Sequence, residues 1–565
     1  MDEDVSSPAS SHEAPPSPAR RFPWRGWLCL VGLVAGGVFI AGSLWREKAR
    51  PEVTTPVSSP TQNVEIRKTA QAVDHAFAEA WAAAGLEPAP LADDLTIARR
   101  LSLALTGTIP SLEEIRALES QPGEERLDWW LTRLLDDPRS SDYVAERLAR
   151  AFVGTENGPF LVYRRRRMVQ WLSEQLASRR PYDEIVRKMI AAEGLWTTNP
   201  AANFITVTID QNQKKEGPDQ VQLAIRTTRA FLGVRIDCVQ CHDDKFGDRW
   251  KQEDFHQLAA FFAGAEMKLT GVRDNRHRTH EVRFRGDEEE STVLPVVPFS
   301  PELMPEQGQP RERLAAWVTH PKNRPFAREA VNRTWALLFG RPLVGSIDDV
   351  PLDSAELPPG LELLAQDFID HGFDFQRLIR TVATTTPFQL ASQSADPAKA
   401  VTSAHEDAWA AFPLTRLRPE QVAGSVAQAA YLDTIDEDAP FLVRLTKFGQ
   451  QNDFVKRYGD LGENEFADQT GTIPQRLLLM NGKMVRERTD NKPGINGVTR
   501  VSQLAPDAKT AVETAYLCVF TRRPSAPEAE HFENQLAEAK GTDRQRALQD
   551  LYWSLFNATE FSWNH

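Results

Sequence analysis

Two thiols and an imidazole stand together at Cys238-Val-Gln-Cys241-His242, a C-x-x-C-H pattern. Thiols at this spacing can add to the two vinyl groups of one porphyrin edge, and the adjacent imidazole can then reach the iron as its axial ligand, the chemistry of a c-type haem. Four of the 11 histidines (His242, His256, His277 and His280) fall between 242 and 280, so a second axial ligand is sought nearby, from His256, Met267, His277 or His280. His256 also has a plain packing role open to it, within Phe255-His-Gln-Leu-Ala-Ala-Phe-Phe262.

Other readings use the same atoms. Cys238 and Cys241 with His277-Arg-Thr-His280 form a C-x-x-C and H-x-x-H set that could hold zinc, although the gap is wider than a compact zinc finger needs. A Cys238–Cys241 disulfide stabilising an extracytoplasmic loop is a third reading. Thioredoxin-like exchange fits poorly, because no strand–helix–strand pattern frames the motif. The remaining cysteines, Cys29 and Cys518, lie far away in apolar stretches.

The elements around the motif are read as mainly helical. Ser111-Leu-Glu-Glu114 behind Pro110 is a capping-box signature for a helix start. Leu127, Trp130, Leu131, Leu134 and Leu135 recur at helical spacing and stop at Asp136-Asp-Pro138. Tyr163-Arg-Arg-Arg-Arg167 reads as the solvated face of the helix carrying Met168, Trp171, Leu172 and Leu176 rather than a phosphate site. Further helices are predicted around 314–318, 326–339, 361–372, 419–432, 508–520 and 526–551. Asp287-Glu-Glu-Glu290 and the prolines from 295 to 310 mark a strand or loop connection between two halves. In the second half, Arg328, Asn332, Arg333, Asp348 and Asp349 read as an ion-pair network orienting helices, with ligand binding as the alternative.

The N-terminus has a different character. Residues 1–25 read as a disordered cytoplasmic tail and 26–45 as a single transmembrane anchor. Its core, Trp27–Leu44, would form a helix about 27 Å long, close to a hydrocarbon layer of ~30 Å. The long leading tail favours a retained anchor over a cleaved signal peptide. Residues 46–68 are a linker, 69–268 a first helix-rich domain, 269–310 the connection and 311–565 a second helix-rich domain. The bulk of the chain is thereby placed outside the inner membrane, in the periplasm or at the cell surface. With 66 Lys+Arg against 79 Asp+Glu, a net charge of −13, general affinity for nucleic acid is excluded. No G-x-S-x-G, H-E-x-x-H or phosphate loop occurs, so no familiar hydrolase or nucleotide site is supported.

Several stretches together carry a resemblance. Phe231-Leu-Gly-Val-Arg-Ile-Asp-Cys-Val-Gln-Cys-His-Asp-Asp-Lys-Phe246, Trp250 to Phe262, Leu103 to Ile115 and Leu134 to Pro138 resemble the planctomycete-type cytochrome-c-like domain of unknown function, family 1549. Leu314 to Pro321, Ala330 to Ala336, Phe339 to Val344 and Ile473 to Gly482 resemble its companion domain, family 1553. The resemblance implies a large exported protein with a haem-like motif and no assigned reaction. The chain departs from it at Asp244, where relatives commonly carry a second histidine. The expected function is a membrane-anchored electron carrier or redox sensor with one haem c on Cys238, Cys241 and His242, meeting an unidentified redox or surface protein partner. The alternative is a non-redox surface scaffold with a disulfide or zinc at the same residues.

Overall fold

Helix boundaries follow local chemistry wherever side chains can satisfy the free backbone groups of a first turn. Asp93 caps the helix Asp94–Thr106 by accepting from the Thr96 amide, and Gly107 ends it in the left-handed region. At Leu112–Glu119 the Ser111 hydroxyl accepts from the Glu114 amide while the Glu114 carboxylate accepts from the Ser111 amide, the reciprocal box expected from the sequence. The next helix, Arg126–Asp136, gives way to Pro138–Val153, whose first residue is the proline and whose cap is Asp137. The computed structural model describes residues 60–155, 162–209, 217–244, 249–285, 287–394, 396, 399–436, 438–439, 454–458, 473–489 and 497–565. The tail, the anchor with Cys29 and most of the linker lie outside these residues. Among the described residues no helix is long and apolar enough to cross a membrane.

The chain is mainly helical with few strands. Three two-stranded antiparallel ribbons are present among the described residues: β1 (Ala265–Lys268) with β2 (Gly271–Asp274), β3 (His280–Val282) with β4 (Ser291–Val293), and β5 (Thr415–Arg416) with β6 (Trp563–Asn564). β2, β3 and β4 fall within the segment 269–310 read as a connection, and β1 lies just before it. Gly271 is required there: at φ +99° its Cα lies against Gly194, and a Cβ would fall 2.0 Å from the Gly194 carbonyl carbon. Two readings need revision. The 526–551 segment is two helices, Ala526–Glu538 and Thr542–Asn557, broken at Gly541. Arg165 is not on a solvated face: it donates to both Glu146 carboxylate oxygens and to the Gly154 carbonyl.

The hydrophobic core does not divide at the connection. One cluster runs from Val73 to Phe412 and so takes in the first half, both β1–β2 strands and the helices Pro310–Val318, Arg324–Phe339, Leu361–Asp370 and Phe375–Thr384. Its centre is aromatic, with Trp335 fully buried, 4.2 Å from Phe339 and 5.2 Å from Trp409 between ring centroids. Such pairs add about 0.5–1.5 kcal/mol each beyond simple burial. A second cluster gathers Leu417 to Phe561 together with Leu103 and Ile109. Across the connection, buried Arg311 ties three elements: its Nε donates to Asp274 at 2.8 Å, and its Nη1 to the carbonyls of Ile190 and Ala192.

Candidate functional site

The motif lies directly after the buried segment Phe231–Val234, which follows the helix Gln220–Phe231. Gly233 adopts φ +58°, and a Cβ there would come within 2.9 Å of Val350. The chain then makes a short 3-10 turn, Asp237–Gln240. Cys238 lies within this turn and Cys241 caps its C-terminal end, three positions on, the spacing at which residues of a continuous 3-10 turn would stack. Both are exposed and unbridged, whereas Val239 between them is fully buried. The turn therefore has an apolar foot inside and two sulfurs outside.

Backbone bonds fix the rest of the loop. The Gln240 carbonyl accepts from the Gln252 side-chain amide at 3.0 Å and from His256 Nε2 at 3.2 Å. The Gln252 amide donates to the Asp243 carboxylate, and the Asp244 amide to the Trp250 carbonyl. His242 is half-buried, with Nδ1 2.7 Å from the Asp243 carbonyl. A carbonyl can only accept, so Nδ1 is the donor in this contact, and the tautomer it selects has its lone pair on Nε2. An imidazole so oriented is prepared as a metal ligand through Nε2.

The other candidate ligands are placed differently. His256, on the helix Gln252–Ala259, and His280, on β3, are both buried and face each other at 3.1 Å between His256 Nδ1 and His280 Nε2. His280 Nδ1 lies 2.9 Å from the Gln220 side-chain amide. Burial pushes His256 below its ordinary range. His277 is exposed in a turn closed by Asn275, and Met267 is half-buried on β1 against the main core. Neither is paired with His242. Among the described residues no group of three or more His, Cys, Asp or Glu is arranged to hold a metal ion, so Cys238, Cys241, His277 and His280 do not converge as a tetrahedral set. A cleft lined by Leu135, Ser140, Val144, Arg180 and Phe375 includes none of the motif residues.

Sequence reasoning did not find the charged clamp that joins this loop to the second half. Asp348 accepts from Arg229 Nε at 2.6 Å and pairs with Arg235 at 3.1 Å, and Arg229 reaches Asp237, the first residue of the turn, at 3.4 Å. Burial alone would raise the Asp348 carboxyl, but the Arg229 and Arg235 guanidinium groups beside it hold it below its ordinary range. Ser346 donates to Asp348, and the Val350 amide donates to the Gly233 carbonyl at 2.8 Å. Asn332 secures the same loop by accepting from the Val344 amide. Asp349 is exposed, Arg333 pairs with Glu329, and Arg328 pairs with Glu362. The charged members of this set are thus paired, but with Glu329, Glu362, Arg229 and Arg235 rather than with one another as expected, and Asp348 also holds the segment that enters the motif.

Fold and site together define a helical protein whose two halves share a core and present a C-x-x-C-H turn at the surface. Residues 72–267 match the family model PSCyt2, protein of unknown function DUF1549, and residues 310–441 match PSD1, protein of unknown function DUF1553. The chain belongs with proteins carrying a DUF1549 domain followed by a DUF1553 domain. No curated protein and no solved structure matches it.

Proposed function

We propose that the protein is a membrane-anchored extracytoplasmic carrier or sensor of electrons that holds one c-type haem on Cys238, Cys241 and His242. The observation carrying this reading is the preparation of His242, whose Nδ1–H is spent on the Asp243 carbonyl while Nε2 stays available beside two exposed, unbridged thiols. The donor set fits the group. The thiols would tether it, His242 would ligate the iron, and the buried Val239 would anchor the turn against the pull of the ligand. The haem supplies a one-electron couple at its iron. Because the cysteines are exposed, the group would lie against the outer face of the turn, accessible to a redox or surface protein partner. An N-terminal anchor with its first residues in the cytoplasm places that face in the periplasm or at the cell surface.

The test is an absorption spectrum of the exported full chain. A Soret band that survives acid–acetone extraction is expected in wild type. In Cys238→Ala the band should persist through the single thioether at Cys241, and in the Cys238→Ala/Cys241→Ala double variant the pigment should become fully extractable. An extracted protein with no Soret band, and with free thiols, a disulfide or bound zinc at Cys238 and Cys241, overturns the haem reading in favour of a surface scaffold.

A further inference from the structure

We propose that His256 and His280 are positioning residues: a directed pair of imidazoles behind the turn that holds the Gln240 carbonyl inward and so keeps both sulfurs outward on one side. The inference rests on the reading of this turn as the working site. It gives the two histidines a task other than ligation.

The direction of the hydrogen bonds follows from chemistry alone. The Gln240 carbonyl cannot donate, so His256 Nε2, 3.2 Å away, carries a proton. Burial disfavours the charged form of that ring, and in its neutral form Nδ1 is an acceptor. Its partner, His280 Nε2 at 3.1 Å, must therefore donate. The Gln220 side-chain oxygen is placed 2.9 Å from His280 Nδ1; a neutral His280 that donates through Nε2 needs this amide turned about, so that its nitrogen donates to Nδ1. With the amide so turned, the donation runs from Gln220 through His280 and His256 to Gln240. Successive links polarise one another, so a chain pointing one way is stronger than its separate bonds.

Packing alone does not account for these two residues. The surroundings of His256 are aromatic: the rings of Phe255 and Phe284 meet it edge-on, at 5.3 Å and 5.8 Å. A third phenylalanine would fill such a space without the cost of burying polar nitrogens. What an imidazole adds is a donor aimed at the Gln240 carbonyl, the one that immediately precedes Cys241. That carbonyl also accepts from Gln252, so its oxygen is satisfied from two sides. With Val239 buried beside it, the turn has two inward fixings, and its cysteines are left to face out together.

The experiment uses the full chain, reduced and free of haem, and phenylarsine oxide, whose arsenic must be reached by two sulfurs at once. Wild type is expected to bind one equivalent. His256→Phe should weaken that capture by about tenfold, the scale typical of lost second-layer support, while iodoacetamide alkylation of the individual thiols changes by less than about twofold. His256→Gln, whose amide can still donate to the Gln240 carbonyl, should recover most of the loss. Should His256→Phe fail to fold, His280→Leu against His256→Gln decides the matter. His280→Leu removes the donor without touching the carbonyl contact and should capture less well than His256→Gln. Equal capture by wild type and His256→Phe, absence of rescue by glutamine, parity of the two fallback variants, or no capture by wild type overturns the proposal. Because no haem is present, failure of the haem reading leaves the arsenical result standing, and the reverse also holds.

Discussion

Asp348→Ala is expected to lower the unfolding free energy by about 2 kcal/mol and to loosen a turn in the other half of the chain. The Asp348 side chain is 10% exposed, while its partners Arg229 and Arg235 are 34% and 49% exposed. Deleting one member of a fully buried pair costs about 3–5 kcal/mol, because the surviving charge is stranded. Here both guanidinium groups can recover water, so the expected cost falls between that figure and the ~0–1 kcal/mol of an exposed pair. Urea denaturation followed by tryptophan fluorescence measures it. Asp348→Asn keeps an acceptor for Ser346 but removes the charge, and should fall between wild type and alanine. The sign with pH is fixed by the depressed carboxyl. Its stabilisation is present above the unfolded value of 3.8 and is lost as pH falls through the lower folded value. Wild type and Asp348→Asn should therefore converge only in strong acid. An unchanged midpoint near neutral pH would show that the clamp contributes nothing.

The clamp also accounts physically for a second half placed beside the motif. The loop carrying Ser346, Asp348 and Val350 touches the incoming segment twice, once through charge at Arg229 and Arg235 and once through backbone at Gly233. Arg229 passes the restraint on to Asp237, immediately before Cys238. Arg311 does comparable work on the opposite side of the connection, where it gathers β2 and the end of the helix Tyr182–Ile190. A partner acting on the second half would therefore bear on the cysteine turn through a few identified contacts.

What the sequence revealed and what it concealed differ in range along the chain. The capping box at Ser111 and the helix stop before Pro138 involve residues within three or four positions, and both were legible. Cys238, Cys241 and His242 were legible as a candidate site for the same reason. The Arg229–Asp348 contact spans 119 residues and the His256–His280 contact 24, and no periodicity encodes either. The histidine cluster was visible as a composition anomaly, but the sequence could not show that two of the four face each other. Arg165 misled because four consecutive arginines resemble a solvated face, whereas burial there is decided by Glu146, one helix earlier. The break at Gly541 was a local signal, a glycine with positive φ inside an otherwise helical pattern.

Glu329 should make the stability of this protein fall as pH rises from mild acid to neutrality. Its side chain is fully buried on the helix Arg324–Phe339, and one carboxylate oxygen accepts from Arg333 while the other has no partner. Burial raises its pKa most strongly, Arg333 opposes that, and Asp348 adds to the rise, which leaves the group at about 7 against an ordinary 4.5. A carboxyl with a raised folded value binds its proton more tightly in the folded state than in the unfolded one. Between pH 4.5 and about 7 the folded protein therefore carries the extra proton, and stability declines with rising pH across that window. The full decline corresponds to up to about 3 kcal/mol at ~1.4 kcal/mol per pH unit. Glu329→Gln keeps the shape and an acceptor for Arg333 but cannot ionise, so its unfolding free energy should lose this slope. Relative to wild type, the variant should gain stability from pH 5 to about pH 7 and level off above that, whatever offset it carries in acid. Parallel profiles for the two proteins would mean that Glu329 is already ionised at pH 5, with Arg333 outweighing its burial. The side chain also packs beside the segment that leads into the motif, since its Cγ would stand 3.2 Å from a Cβ at Gly233. Charging it places a second negative group near Asp348, which is why Asp348 adds to the rise of its pKa.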